Sequence, residues 1–440
     1  MLVFNDKNRR FDRLVILPAI VVFCNTVPWL NTRLRAYSLL PLMAVYVLLT
    51  LFRKKETRLE SVKERRAGFS MFLGASVFFL SYLLIRGRTG FYMNWFGVAV
   101  ISLFLLWVFI RLAAENKARE IKVLALVTLG AIVVASVMNV LFLSDEMNQN
   151  VLRDMTGADK NLSQEDAIAA HESGAGGYHT TYVIGLLSIP MLYAGFRVNW
   201  KLRIIFWMVS CLSLLYAYRA GFSILMIVIG FGIMICMVAI VIKKFNLFRL
   251  AAVSGVVMLL VLTLNPTLFS FAAKPFAALA EMTTNPSYIM RLTSIAEALS
   301  GSGDEYATYR PGLLWQSWRM FLENPIWGVG YDISKIGGHS FILDYLAMGG
   351  LSLFWPFPLF LYLYTRYLKI VIYPLSPSSR LLIELYFYMY IMCTLLNPLN
   401  SVLGWNGFFL TLPGISLLFA DSRLNQRRWG RRTPALRMRY

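Results

Sequence analysis

Apolar stretches long enough to cross a lipid bilayer recur along this chain from one end to the other. A helix needs about 20 mostly apolar residues to traverse a hydrocarbon core of roughly 30 Å. Inside lipid, backbone polar groups are satisfied only within helices or closed barrels. The pattern predicts an all-α polytopic membrane protein with about twelve transmembrane helices, over residues 14–31, 35–52, 68–86, 92–111, 122–143, 180–196, 203–218, 220–242, 250–271, 340–365, 381–396 and 406–420. A mean hydropathy of +0.60, with 58% hydrophobic and 15% charged residues over 440 positions, excludes a soluble globular class. The first apolar segment follows the basic leader MLVFNDKNRR; it is too long for a signal-peptide core and lacks a small-x-small site, so it reads as retained.

A formal net charge of +20 invites a nucleic-acid reading, but the placement of the charge argues against it. About 31 of the 43 Lys and Arg residues fall in alternate loops: the N-terminus, 53–66, 111–122, 197–203, 243–249, 366–380 and the C-terminal tail. Such segregation is the positive-inside signature of a multi-pass protein. It places both termini in the cytoplasm and the 144–179 and 272–339 loops outside. The basic residues then serve topology and contact with anionic lipid.

Within residues 1–440, read as one integral membrane domain, no internal repeat and no GxxxxGK[ST] or GxGxxG phosphate loop is found. Cys24, Cys211, Cys236 and Cys393 lie far apart inside apolar spans and read as small hydrophobes. His171, His179 and His339 have no metal-ligand spacing, so no metal or cofactor is implied.

Polar sequence gathers in the two long outer loops. In the first, Ser163 with Asp166 three residues on resembles a capping box, in an otherwise solvated segment. In the second, helical periodicity runs through 289–299 and again through 311–324, where Leu314, Trp315, Trp318, Phe321 and Leu322 share one face. Pro311 suits a first helical position and Asn324-Pro325 a stop. The Trp-rich face predicts a helix lying in the membrane interface.

A handful of residues there carry potential chemistry. Arg219, in LLYAYRAGF, stands where two apolar spans meet on the outer side. Either it snorkels to headgroups or it binds an anion in a cavity, with Tyr216 and Tyr218 as polar lining. Arg310 precedes Pro311-Gly312 at the expected helix start, where free N–H groups and a guanidinium together suit phosphate oxygens. Arg291 is a second such candidate, with less around it. His339 follows Gly337-Gly338 and opens an apolar span; an imidazole beside a helix N-terminus is favoured in its neutral form and can accept a proton from a sugar hydroxyl. Asp344 sits four residues beyond Ser340 on the same helical face, placed to pair with an arginine or to position an acceptor. The bland explanations are headgroup contact for Arg219, the abundance of arginine in outer loops for Arg310 and a structural role for His339.

The string RPGLLWQSWRMFLENPIWGVG, the following HSFILDYLAMGG and the Tyr-Arg-Ala-Gly element at 218–221 resemble the O-antigen polymerase and O-antigen ligase superfamily of bacterial surface-glycan enzymes. The resemblance spans roughly residues 180–420. It departs from the family where Ser340 follows the histidine in place of the frequent Asn, and where Tyr218 precedes the arginine in place of Ser. It implies transfer of a glycan from an undecaprenyl-diphosphate-linked oligosaccharide to an acceptor sugar outside the bacterial cytoplasmic membrane, with inversion and without a metal. On that reading Arg219 and Arg310 neutralise the diphosphate leaving group and His339 orients or deprotonates the acceptor. Arg291, Tyr218, Asp344 and Trp315 complete the expected substrate-binding set. Membrane lipid, a flippase and a chain-length regulator would be its partners, and nucleic acid would not. A polymerase of repeat units is the leading reading and a ligase the second. A transporter or flippase for a lipid-linked saccharide is the rival from another class, and transporters tend to show inverted repeats and interrupted helices.

Overall fold

The computed structural model describes residues 11–53, 62–86, 92–143, 177–220, 222–241, 269–282, 305–330, 335–397 and 401–419, with isolated positions 289, 292, 293, 296, 297, 300 and 399. The described residues are mostly helical and contain no strand. By length and composition six helices can cross a membrane, or seven if one bent pair counts as a single span.

The N-terminal region departs from two straight spans. Helices α1 (Ile16–Thr26), α2 (Pro28–Ser38) and α3 (Leu40–Leu51) replace them. The break after α1 has a local cause: Val27 precedes a proline and takes extended geometry, φ −82° and ψ 115°. Long helices follow as the apolar pattern predicts: α4 (Val62–Arg86), α5 (Tyr92–Ala114), α6 (Ala118–Phe142), α7 (Tyr178–Gly195), α8 (Trp200–Ala220) and α9 (Ser223–Val241). The expected span over 250–271 lies mostly outside the described residues, and a helix not foreseen, α10 (Phe269–Met282), occupies the boundary drawn there. The expected capping box at Ser163 also lies outside them, as does most of 289–299.

Helix α11 (Glu305–Glu323) leads to α12 (Phe341–Phe354), α13 (Pro356–Val371), α14 (Pro377–Leu396) and the short α15 (Val402–Asn406). The expected single span over 340–365 is in fact α12 and α13 bent by 74°. After α15 the backbone forms a π turn over Gly407–Thr411 and then continues as helix. A π turn strains the normal carbonyl ladder; here the Tyr364 hydroxyl donates to the Phe408 carbonyl (2.7 Å) and the Tyr386 hydroxyl to that of Gly404 (3.2 Å).

Aromatic packing forms the centre. Phe78 of α4 stacks on Phe360 of α13 with ring centroids 5.7 Å apart, and Trp405 stacks on Phe409 at 6.1 Å. At the end of the bundle where α5 turns into α6, Asp12 is buried among cations. Its carboxylate meets Lys117 Nζ at 2.6 Å and Arg53 Nη1 at 2.8 Å, and its backbone N–H donates to Glu120 Oε1 at 2.9 Å. Burial alone would raise the Asp12 pKa; the bonds and charges of Lys117 and Arg53 outweigh it and hold the group below its ordinary value. The four cysteines are free thiols, and three of them are buried.

Candidate functional site

Helix α12 is interrupted at Gly350, whose φ of 56° and ψ of −166° lie outside helical geometry. The break separates two i to i+4 pairs, Ala347 with Leu351 and Met348 with Ser352. The segment 325–330 fills both gaps. Val329 N–H donates to the Ala347 carbonyl (2.9 Å) and Gly330 N–H to that of Met348 (3.0 Å); Leu351 N–H donates to the Pro325 carbonyl (2.8 Å) and Ser352 N–H to that of Ile326 (3.0 Å). Four backbone groups that would otherwise be orphaned are thereby satisfied. The approach is so close that a Cβ on Gly350 would lie 2.4 Å from the Ile326 oxygen, and one on Gly328 would lie 2.3 Å from the Met348 oxygen. Asn324-Pro325-Ile326-Trp327-Gly328-Val329-Gly330 is thus a clasp across a broken helix. The Ile326 and Trp327 side chains are exposed.

The other end of α12 carries a second polar knot. Ser340 is its N-cap, accepting from Leu343 N–H at 3.0 Å. Asp344, buried to 1% exposure, returns the bond by accepting from Ser340 N–H at 3.0 Å. The same carboxylate accepts from Gly338 N–H (3.2 Å) and from the hydroxyl of Ser317 on α11 (2.5 Å), and Ser317 accepts in turn from Gly337 N–H (2.9 Å). Phe341 N–H donates to the carbonyl of Asn397, which caps α14 (3.1 Å). Three helices therefore fix the loop 337–340, in which His339 is exposed.

Several expectations change against this geometry. Asp344 is a positioning residue: its carboxylate bonds the backbone on both sides of His339 and is shut away from solvent. The helix expected to start at Pro311 starts at Glu305, so Arg310-Pro311 falls in its second turn and no free N–H cradle exists at Pro311. The side chain of Arg310 and the whole of Arg291 lie outside the described residues. The face of α11 held against the protein runs through Leu313, Ser317 and Met320. Leu314 and Trp318, expected in the membrane interface, pack near Leu343 and Leu395, while Leu322 is exposed and Trp315 half-buried.

Arg219 occupies the last turn of α8, where helix carbonyls favour a cation. It is half-buried and donates from Nη1 to the Val140 carbonyl at the end of α6, at 3.3 Å. Among the described residues it meets no carboxylate. Tyr216 is buried with its hydroxyl 2.5 Å from that of Thr181, leaving Tyr218 as the exposed tyrosine of the pair. The structure brings Asp344, Ser317 and the His339 loop together; no bond joins Arg219 to that knot. Sequence reasoning missed Ser317, Gly328 and Asn397. Ser317 had no signal beyond being small and polar on a helix, whereas the glycines of the clasp stood in the motif without a reason attached. No protein-family model matches the chain, and no curated protein matches it.

Proposed function

We propose that the protein is a multi-pass glycosyltransferase of a bacterial cytoplasmic membrane, which joins undecaprenyl-diphosphate-linked oligosaccharide repeat units into a surface polysaccharide. The observation that carries this reading is the exposed His339 on a loop whose backbone is fixed from behind by buried Asp344 and Ser317. The motif resemblance supports it, as does Arg219, which meets no carboxylate among the described residues. In the proposed reaction the acceptor hydroxyl oxygen attacks the anomeric carbon of the donor glycan. The hydroxyl proton passes to the His339 imidazole as the bond from that carbon to the diphosphate oxygen breaks, and the diphosphate leaves with the electron pair. Arg219 and Arg310 stabilise the developing charge; one preorganised donor in such a role is worth about 3–4 kcal/mol. A backside attack inverts the anomeric centre. Twelve spans, cytoplasmic termini and an outward-facing site complete the proposal, on the distribution of basic loops.

A specific observation favours a second reading. The 74° bend between α12 and α13 is a broken helix of the kind found in transporters. Purified full-length protein, given labelled lipid-linked repeat units in mixed micelles, separates the two. The enzyme reading expects longer glycans on a gel, and vesicle translocation of labelled lipid without any new glycosidic bond would replace it with transport. His339→Ala should abolish chain growth while retaining donor binding. Full chain growth by that variant would remove the histidine from the mechanism.

A further inference from the structure

Cations at the far end of α4 and α13 face one cavity. Lys63, Arg66 and Ser70 fall at i, i+3 and i+7 on one face of α4; Leu363, Arg366 and Ile370 do the same on α13. The two faces meet and line an open cavity of about 260 Å³. At several other helix ends basic side chains are paired: Lys117 and Arg53 with Asp12, Arg111 with Glu115, Arg380 with Glu384. Among the described residues Lys63, Arg66 and Arg366 meet no carboxylate, although they surround one cavity. Three like charges held around one space repel each other unless an anion sits among them.

The rest of the lining says which anion. Leu363 and Ile370 make part of the wall apolar, and the Ser70 hydroxyl offers a neutral donor. Below the cavity α4 exposes Phe69, Leu73, Leu80 and Leu84, an apolar strip running along the helix. A charged mouth above an exposed apolar strip matches a phosphate headgroup with its acyl chain. Basic pockets between membrane helices bind such headgroups. The loops on this side, 53–66 and 366–380, are among those the charge distribution assigns to the cytoplasm. We infer that Lys63, Arg66 and Arg366, with Ser70, form a binding site for the phosphate headgroup of an anionic phospholipid, separate from the His339 loop.

The test uses the full-length chain in phosphatidylcholine nanodiscs containing phosphatidylglycerol, with retained lipid counted by native mass spectrometry. Each cation near such a surface contributes about fivefold in affinity, so Lys63→Gln, Arg66→Gln and Arg366→Gln together should weaken retention about a hundredfold. A charge-matched variant of the tail, Arg427→Gln with Arg428→Gln and Arg431→Gln, should retain lipid as the unaltered protein does. Ser70→Phe fills the cavity without changing charge and should also release the lipid, which covers the case in which the triple variant fails to fold. Equal retention by the unaltered protein and a folded triple or Ser70→Phe variant overturns the site. So does displacement of phosphatidylglycerol by millimolar inorganic phosphate, which would make the ligand a soluble phosphate instead of a lipid.

Discussion

Removing the Asp344 carboxylate should loosen the loop that presents His339, and the size of the effect follows from its three bonds. Asp344 accepts from Ser317 Oγ, Gly338 N–H and Ser340 N–H. Gly338 is exposed, so water can replace the lost acceptor there; Ser317 and Ser340 are fully buried and cannot be rehydrated. A buried donor left without an acceptor costs about 1–3 kcal/mol, and a bond to a charged group is worth about 1.5–3. Asp344→Ala should therefore destabilise by roughly 3–5 kcal/mol. Asp344→Asn keeps one carbonyl oxygen but turns an NH2 toward at least one donor, for roughly 1–3 kcal/mol. Ser317→Ala removes one bond to Asp344 and the acceptor of Gly337 N–H, so the pair should show a coupling of about 0.5–3 kcal/mol in a double-mutant cycle. Unfolding in a detergent titration, followed by tryptophan fluorescence, measures all five proteins. Unfolding of Asp344→Ala at the same point as the unaltered protein, or strict additivity of the two substitutions, would refute the knot as a structural unit.

Three other outcomes are expected. Gly350→Ala should destabilise by about 1–3 kcal/mol from backbone strain alone, before its contact with the Ile326 oxygen is counted. Gly130→Ala on α6, where an added Cβ meets nothing, should instead be neutral or gain up to about 1 kcal/mol; equal effects in the same unfolding assay would dismiss the clasp. Arg219→Lys keeps the charge but loses the planar fork, so glycan transfer should fall at least tenfold with yield unchanged; transfer at the original rate would reduce Arg219 to a lipid contact. Asp12 has a folded pKa held below its unfolded value of about 3.9, so its contribution is present above that pH and is lost as pH falls through the folded pKa. Asp12→Asn should cost about 3 kcal/mol at pH 7 and flatten the acid limb of a stability profile, and an unchanged limb would discard the assignment.

What could be read from the residues differed by the kind of interaction. Long apolar helices such as α5 and α6 are decided by composition, and their positions follow within a few residues. Breaks are decided by single residues acting on the backbone. Pro28 was visible in the sequence, yet the run of apolar side chains around it concealed its effect on Val27. The break inside α12 was harder: a Gly-Gly pair reads equally as flexible packing or as a break, and only the segment 325–330, some 20 residues earlier in the chain, makes the break affordable in an apolar setting. At the site, Asp344 was legible as unusual because it sits one turn into an apolar span. Its partners were not, since Ser317 reaches it only through the packing of α11 on α12.

The clasp also changes what the resemblance can mean. In lipid, each unpaired backbone group costs several kcal/mol, so a helix broken at Gly350 needs partners for Ala347, Met348, Leu351 and Ser352. The segment from Pro325 to Gly330 supplies all four, and its small residues are those that let two backbones meet. Much of the string on which that resemblance rests is therefore accounted for by architecture, with no reference to sugar or phosphate. The proposed chemistry then rests on Arg219, which meets no carboxylate among the described residues, and on His339, whose loop is fixed at both flanks. The two groups of residues should fail in different ways. Substitutions at Gly328 or Gly350 should lower yield and stability together, whereas those at Arg219 or His339 should leave a folded protein without transfer. A folded Gly350→Ala that still joins glycans would assign the motif to something other than this break.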